Sequence, residues 1–224
     1  MKLLALDTST ENCSLALWLD GELVTRQELA GQRHSDLILP MLDELLKATG
    51  LELRQLDGIA FGEGPGSFTG LRIGCGVAQG LAFGAGLPVV GISTLLALAE
   101  AAPGERVLAC LDARIGEIYH AAYEKREGIW HTVSAPSLCL AQDAPTLPGS
   151  GWVGVGSGFA AYGEALQQRY SGQLATTDGS VYPQAGEMAR LAAPLFAQGL
   201  GQDAALAAPL YIRNKVALKM SERK

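Results

Sequence analysis

Asp57-Gly58-Ile59-Ala60-Phe61-Gly62-Glu63-Gly64-Pro65-Gly66-Ser67-Phe68-Thr69-Gly70-Leu71-Arg72-Ile73-Gly74 is the stretch on which the reading of this chain turns. A short apolar run, Ile59-Ala60-Phe61, meets a turn built on Gly62, Gly64 and Gly66, and a helix of small residues follows. Glycine adopts positive φ at little cost and lets another group come close to the backbone. The leading N–H groups of a helix have no internal partners and favour anions. Two uses of the turn follow. One is a phosphate or nucleotide contact through Gly64, Gly66 and Ser67; the other is a structural turn in which Ser67 caps the helix.

Known phosphate motifs do not fit. A Walker A loop needs Lys-Ser or Lys-Thr behind its last glycine, where Ser67-Phe68 stands, and no Lys occurs between Lys47 and Lys125. A dinucleotide fingerprint begun at Gly62 has Ser67 in place of its third glycine; begun at Gly64 it has Thr69. A nucleophile elbow at Ser67 fails at Pro65.

The 224 residues are 48% hydrophobic and 18% charged, which suits one or two domains with a full core. Cys13, Cys75, Cys110 and Cys139 are far apart and read as buried thiols in a reducing compartment. His34, His120 and His131 lack metal-site spacing, so no metal ligands are expected among them. The apolar run before Asp7 is too short for a signal peptide, and Arg72, Gln79 and Pro88 argue against a membrane span over 71–90. A cytoplasmic protein is the expectation. A net charge of −6 speaks against this chain gripping nucleic acid by itself. Residues 213–224 form a local basic tail, read as solvated or as a helper contact to RNA or an acidic partner.

The first three strands read as a meander, with Asp20-Gly21 at the hairpin. Helix one follows, with Ser35 as candidate N-cap, Pro40 as a bend or true start, and Gly50 as C-cap. Helix two carries two rows at four-residue spacing, Gly70-Gly74-Ala78-Ala82 and Gly76-Gly80-Gly84. Each glycine costs a helix up to about 1 kcal/mol against alanine, so two such rows imply backbones packed closely on two faces. One row serves the lobe's own sheet and the other needs a further partner. The two helices together give the expected partner interface: His34, Ile38, Met41, Leu42 and Leu45 with Gly70, Gly74, Ala78 and Ala82.

Beyond Pro103-Gly104 the opening plan returns. A strand over 107–111 ends at Asp112 and a short turn leads to a strand over 117–123. Later, 152–155 runs into Gly156-Ser157-Gly158 and a helix over 159–169. Residues 135–150 read as a Pro-rich connection and 187–198 as an amphipathic helix. The expected division is 1–104 as a first lobe, 105–206 as a second, and 207–224 as a segment returning to the first.

Such paired halves resemble the actin-like (ASKHA) fold of sugar kinases and heat-shock ATPases. More narrowly, the chain is similar to the TsaB (YeaZ) family of bacteria in Leu6-Asp7-Thr8-Ser9-Thr10 and in the run from Gly64 to Gly74. Leu111-Asp112-Ala113-Arg114 with Gly116-Glu117-Ile118-Tyr119, and Tyr211-Ile212-Arg213-Asn214, extend the likeness over nearly the whole chain. The resemblance implies an α/β protein of two actin-like lobes, each a mixed sheet with helices, the second reduced. It implies a non-catalytic scaffold and activator in forming threonylcarbamoyladenosine next to the tRNA anticodon. There a TsaD-like subunit does the transfer and a TsaE-like ATPase joins. ATP or ADP would belong to the assembled complex, tRNA would be met only through it, and the chain alone would form a homodimer. TsaD-type proteins carry His-x-x-x-His on the helix after the strand matched here by 88–92, and those positions fall at Thr94 and Leu98. Rival readings are a metallopeptidase or ATPase working alone, or a homodimeric small-molecule sensor. Asp7 has two readings, orienting a phosphate-bound cation or capping its own turn. Asp112 and Arg114 likewise read as a functional pair or an ordinary surface contact.

Overall fold

The computed structural model describes residues 1–213; the tail expectation at 214–224 lies outside the described residues. The first sheet is laid down by β1 (Lys2–Asp7), β2 (Asn12–Leu19), β3 (Glu22–Leu29), β4 (Gly58–Gly64) and β5 (Val89–Ser93), in the order β3-β2-β1-β4-β5. The second uses β6 (Arg106–Arg114), β7 (Glu117–Arg126), β8 (Ile129–Leu140), β9 (Trp152–Val155) and β10 (Leu174–Asp178), in the order β10-β9-β6-β7-β8. The two orders are the same plan. Each sheet opens as an antiparallel meander and then adds two parallel strands beside its first. The expectation of two mixed-sheet lobes holds.

Alternation along the strands sorts large from small side chains. Leu4, Leu6, Leu15, Leu17, Ile59 and Phe61 point to one face of the first sheet, against α1 (His34–Thr49) and α2 (Phe68–Ala85). Ala5, Ala16 and Ala60 point to the other, where α5 (Ala185–Ala197) seats Ala185, Met188, Ala189 and Ala192. Small residues on both sides let that helix approach closely, and the division expected at 105–206 is corrected here. The chain returns to the first lobe at Ala185, and Gln202 then bridges to Val89 at the sheet edge.

The second sheet packs α3 (Thr94–Glu100) on one face through Leu95, Leu98 and Ala99, and α4 (Ser157–Arg169) on the other through Phe159 and Leu166. Ala97 of α3 faces the α5 cluster, so α3 ties the two lobes together. Three local expectations change. Residues 129–140, half of them assigned to a Pro-rich connection, form a long strand on β7, and β10 was not foreseen. Ser35 sits inside α1, whose N-cap is Arg33, and Pro40 lies within the helix. Ser67 does cap α2, accepting from Gly70 N, and Ser93 caps α3, accepting from Leu96 N.

Candidate functional site

A cleft of about 870 Å³ opens between the lobes. Its first wall is the turn after β1 with the glycine-rich turn before α2; its second is the β6–β7 turn. Gly66 and Ser67 line it, whereas Asp7 and Gly64 stand behind it. The glycines admit the chain's own backbone. A Cβ on Gly66 would overlap the Ser9 carbonyl oxygen, one on Gly70 the Thr8 carbonyl oxygen, and Ser67 N donates to Ser9 O at 2.7 Å. The turn is therefore clamped onto the β1 turn, which is the structural use weighed above.

Asp7 is fully buried. Ser9 donates to it twice, from Oγ at 2.9 Å and from the backbone N at 3.3 Å. Burial pushes its carboxyl up to about 7, against the Ser9 and Thr8 hydrogen bonds. It caps its own turn, and Ser9, Thr10 and Glu11 present themselves to the cleft instead.

Across the cleft, Arg114 holds positive φ in the β6–β7 turn, pairs with Asp112 at 3.1 Å and reaches Glu11 of the first lobe at 3.0 Å. Tyr162 Oη donates to Asp112 Oδ1 at 3.2 Å. The segment over 210–213 crosses from lobe to lobe. Leu210 N donates to Glu63 O at 2.7 Å, while Arg213 reaches Ala113 O at 2.9 Å and Glu117 at 2.7 Å. Arg72 lies 3.8 Å over the Phe68 ring and donates to Tyr211 Oη at 2.9 Å, a stack not foreseen from the sequence.

The expected interface residues turn inward. His34, Ile38, Met41, Leu42, Leu45, Gly70, Gly74, Ala78 and Ala82 are all buried in the first lobe. Their spacing is that of a core stripe, and Gly70 and Gly74 give room to Thr8, whose Oγ1 donates to Gly70 O at 2.7 Å. The outward row is the other one: among the described residues a Cβ added to Gly76, Gly80 or Gly84 would meet nothing within 4 Å. Phe83 beside them is 81% exposed, and on α1 Leu39 is 51% exposed. The polar pair Arg72 and Gln79, on the same side of the helix as Gly76, was the signal that could have chosen the row.

Among the described residues no three His, Cys, Asp or Glu side chains converge as a metal centre, and no helix is long and apolar enough to cross a membrane. Thr94 and Leu98 are fully buried. His120 and Tyr170 form a buried pair at 3.0 Å, with His120 held down at about 4 by burial.

Two sheets of one strand order, each opening on a strand, an Asp and a turn and facing each other across a cleft, define a two-lobed actin-like protein. The family model described as TsaD, tRNA N6-adenosine threonylcarbamoyltransferase, matches residues 24–219. The tRNA threonylcarbamoyladenosine biosynthesis protein TsaB of Escherichia coli (strain K12) is 44% identical over 98% of this chain and 97% of its own length. Its counterpart from Haemophilus influenzae is 41% identical over 98% of this chain and 96% of its own length. The solved structure of YeaZ from Pseudomonas aeruginosa superposes with a TM-score of 0.86 at 37% identity, covering 94% of this chain and 99% of that one. The chain belongs to the TsaB family, within the broader group that the TsaD model describes.

Proposed function

We propose that this chain serves threonylcarbamoyladenosine formation in tRNA as a scaffold and activator, lending the outer face of α1 and α2 to a TsaD-like catalytic subunit. The observation that carries this is the row Gly76, Gly80 and Gly84, open along its whole length beside the exposed Phe83. Glycines in mid-helix are costly unless another backbone comes close, and among the described residues none lies within 4 Å of where a Cβ would stand. A helix from a partner laid along the row would bury Phe83 and Leu39. The same patch would serve a second copy when no partner is present, so homodimer and heterodimer would compete for it.

Thr94 and Leu98 support a non-catalytic role, since neither position offers a His ligand where the related enzyme carries its pair. A TsaE-like ATPase would join the assembly. ATP or ADP would act there, with the interlobe cleft and its Gly66–Ser67 edge as the surface this chain could offer. The net charge of −6 fits a chain that meets tRNA only through the complex.

Gly80→Ala and Gly80→Arg provide the test. Alanine should raise the monomer's stability by about 1 kcal/mol, since its Cβ enters open space in a helix. It should nevertheless weaken capture by a TsaD-like protein, and Gly80→Arg should abolish capture while leaving the fold intact. Undiminished capture by Gly80→Arg would remove the interface reading.

A further inference from the structure

Arg72 is the only charged residue among the 18 of α2, and it stands on the outward row. At four-residue steps that row reads Phe68, Arg72, Gly76, Gly80 and Gly84, all exposed, so the guanidinium lies one turn ahead of the open glycines. It is held in place there. Its Cζ is 3.8 Å from the centre of the Phe68 ring and 5.9 Å from that of Tyr211, and the two ring centres are 5.4 Å apart. Its Nε donates to Tyr211 Oη at 2.9 Å.

Those contacts use the flat face and the Nε side of the guanidinium. Among the described residues its two terminal nitrogens have no hydrogen-bond partner, and no Asp or Glu pairs with Arg72. The terminal edge is one that meets a carboxylate with two parallel hydrogen bonds. Exposed ion pairs are worth little, in part because two long side chains must be ordered to make them. Here stacking has already ordered the arginine, so a carboxylate brought to its free edge has only itself to fix. Helix α2 carries no Asp or Glu, so the row cannot supply that group and what covers the row must.

We propose that Arg72 determines which partner docks on the α1–α2 face: its free edge pairs with an Asp or Glu carboxylate of the partner, beside the glycine row. This rests on the docking reading given above. Phe68 and Tyr211 act through Arg72 as positioning residues.

Titration calorimetry of a purified TsaD-like protein against the full-length chain tests it, with Arg72→Gln, Arg72→Lys and Gly80→Arg as variants. Arg72→Gln would leave the partner's carboxylate desolvated and unpaired. It should weaken binding about thirtyfold or more and flatten the salt dependence, with an unchanged melting profile. Arg72→Lys keeps the charge but not the paired edge, and should stay about tenfold weaker than the unaltered chain. If Gly80→Arg abolishes binding while Arg72→Gln binds in full, the docking face stands and this proposal falls. If both bind in full, both readings fall. Lysine binding as tightly as arginine would overturn the paired edge. Exposed acids on α1, Asp36 and Glu44, make a second copy the other source of a carboxylate. Arg72→Gln that weakens self-association and spares partner binding would therefore also overturn the proposal.

Discussion

Asp7→Asn should stabilise this protein above neutral pH and leave it nearly unchanged in mild acid. Asp7 has no solvent exposure, its donors are Ser9 and the Thr8 backbone, and a Cβ on Gly62 would overlap its Oδ1. Removed from water, the folded carboxyl holds its proton up to about 7, whereas in the unfolded chain it releases it near 3.8. Between those values the folded state binds more protons than the unfolded state. Stability therefore falls as pH rises through this window and levels off above about pH 7. At about 1.4 kcal/mol per tenfold change, the loss comes to on the order of 4 kcal/mol. Asparagine retains an acceptor for the Ser9 N–H and cannot ionise. Urea unfolding of both proteins from about pH 4 to about pH 8 reads the difference directly, and titrations elsewhere in the chain cancel between them. The variant should gain with pH until it leads by a few kcal/mol. A variant weaker by one constant amount across the range would refute the reasoning, because the carboxylate would then be a satisfied charged acceptor.

Two further outcomes follow from packing. Gly70→Ala and Gly74→Leu should destabilise the monomer rather than spare it. The first places a methyl on the Thr8 carbonyl and the second a Cβ 2.6 Å from Thr8 Oγ1, so thermal melts should drop before any partner is added. Tyr170→Phe strands the Pro145 carbonyl and His120 Nε2, bonded at 2.7 and 3.0 Å. At about 1–3 kcal/mol for each buried group left unpaired, a marked loss in denaturant midpoint is expected, with capture by a TsaD-like partner unchanged once the variant is folded.

Much of the fold was legible because its signals are local. Asp20-Gly21 makes a hairpin, Ser67 and Ser93 cap helices, Gly50 closes α1 in the left-handed region, and the strand–Asp–turn pattern recurs at Asp112. Non-local pairing was not legible. Strand β8 carries Pro136 and irregular polarity, and its identity comes from β7, with register shifts beside Ala122. Strand β10 is mostly exposed and exists through β9 alone. The inward row of α2 was misassigned because two glycine rows share one period, and only contact with Thr8 distinguishes them. Helix α5 declared its apolar side but not which sheet receives it; its alanines match Ala5, Ala16 and Ala60, residues 125 to 187 positions earlier in the sequence.

That last arrangement bears on how the molecule is made. A nascent chain that has finished β5 owns a complete first sheet, yet the alanine side of that sheet stays bare until Ala197 has been synthesised. The intervening lobe must emerge first, so the amino-terminal half waits, half clothed, for its own last helix. Cutting the gene after residue 104 would therefore yield a fragment with an unsealed seam rather than a free-standing unit.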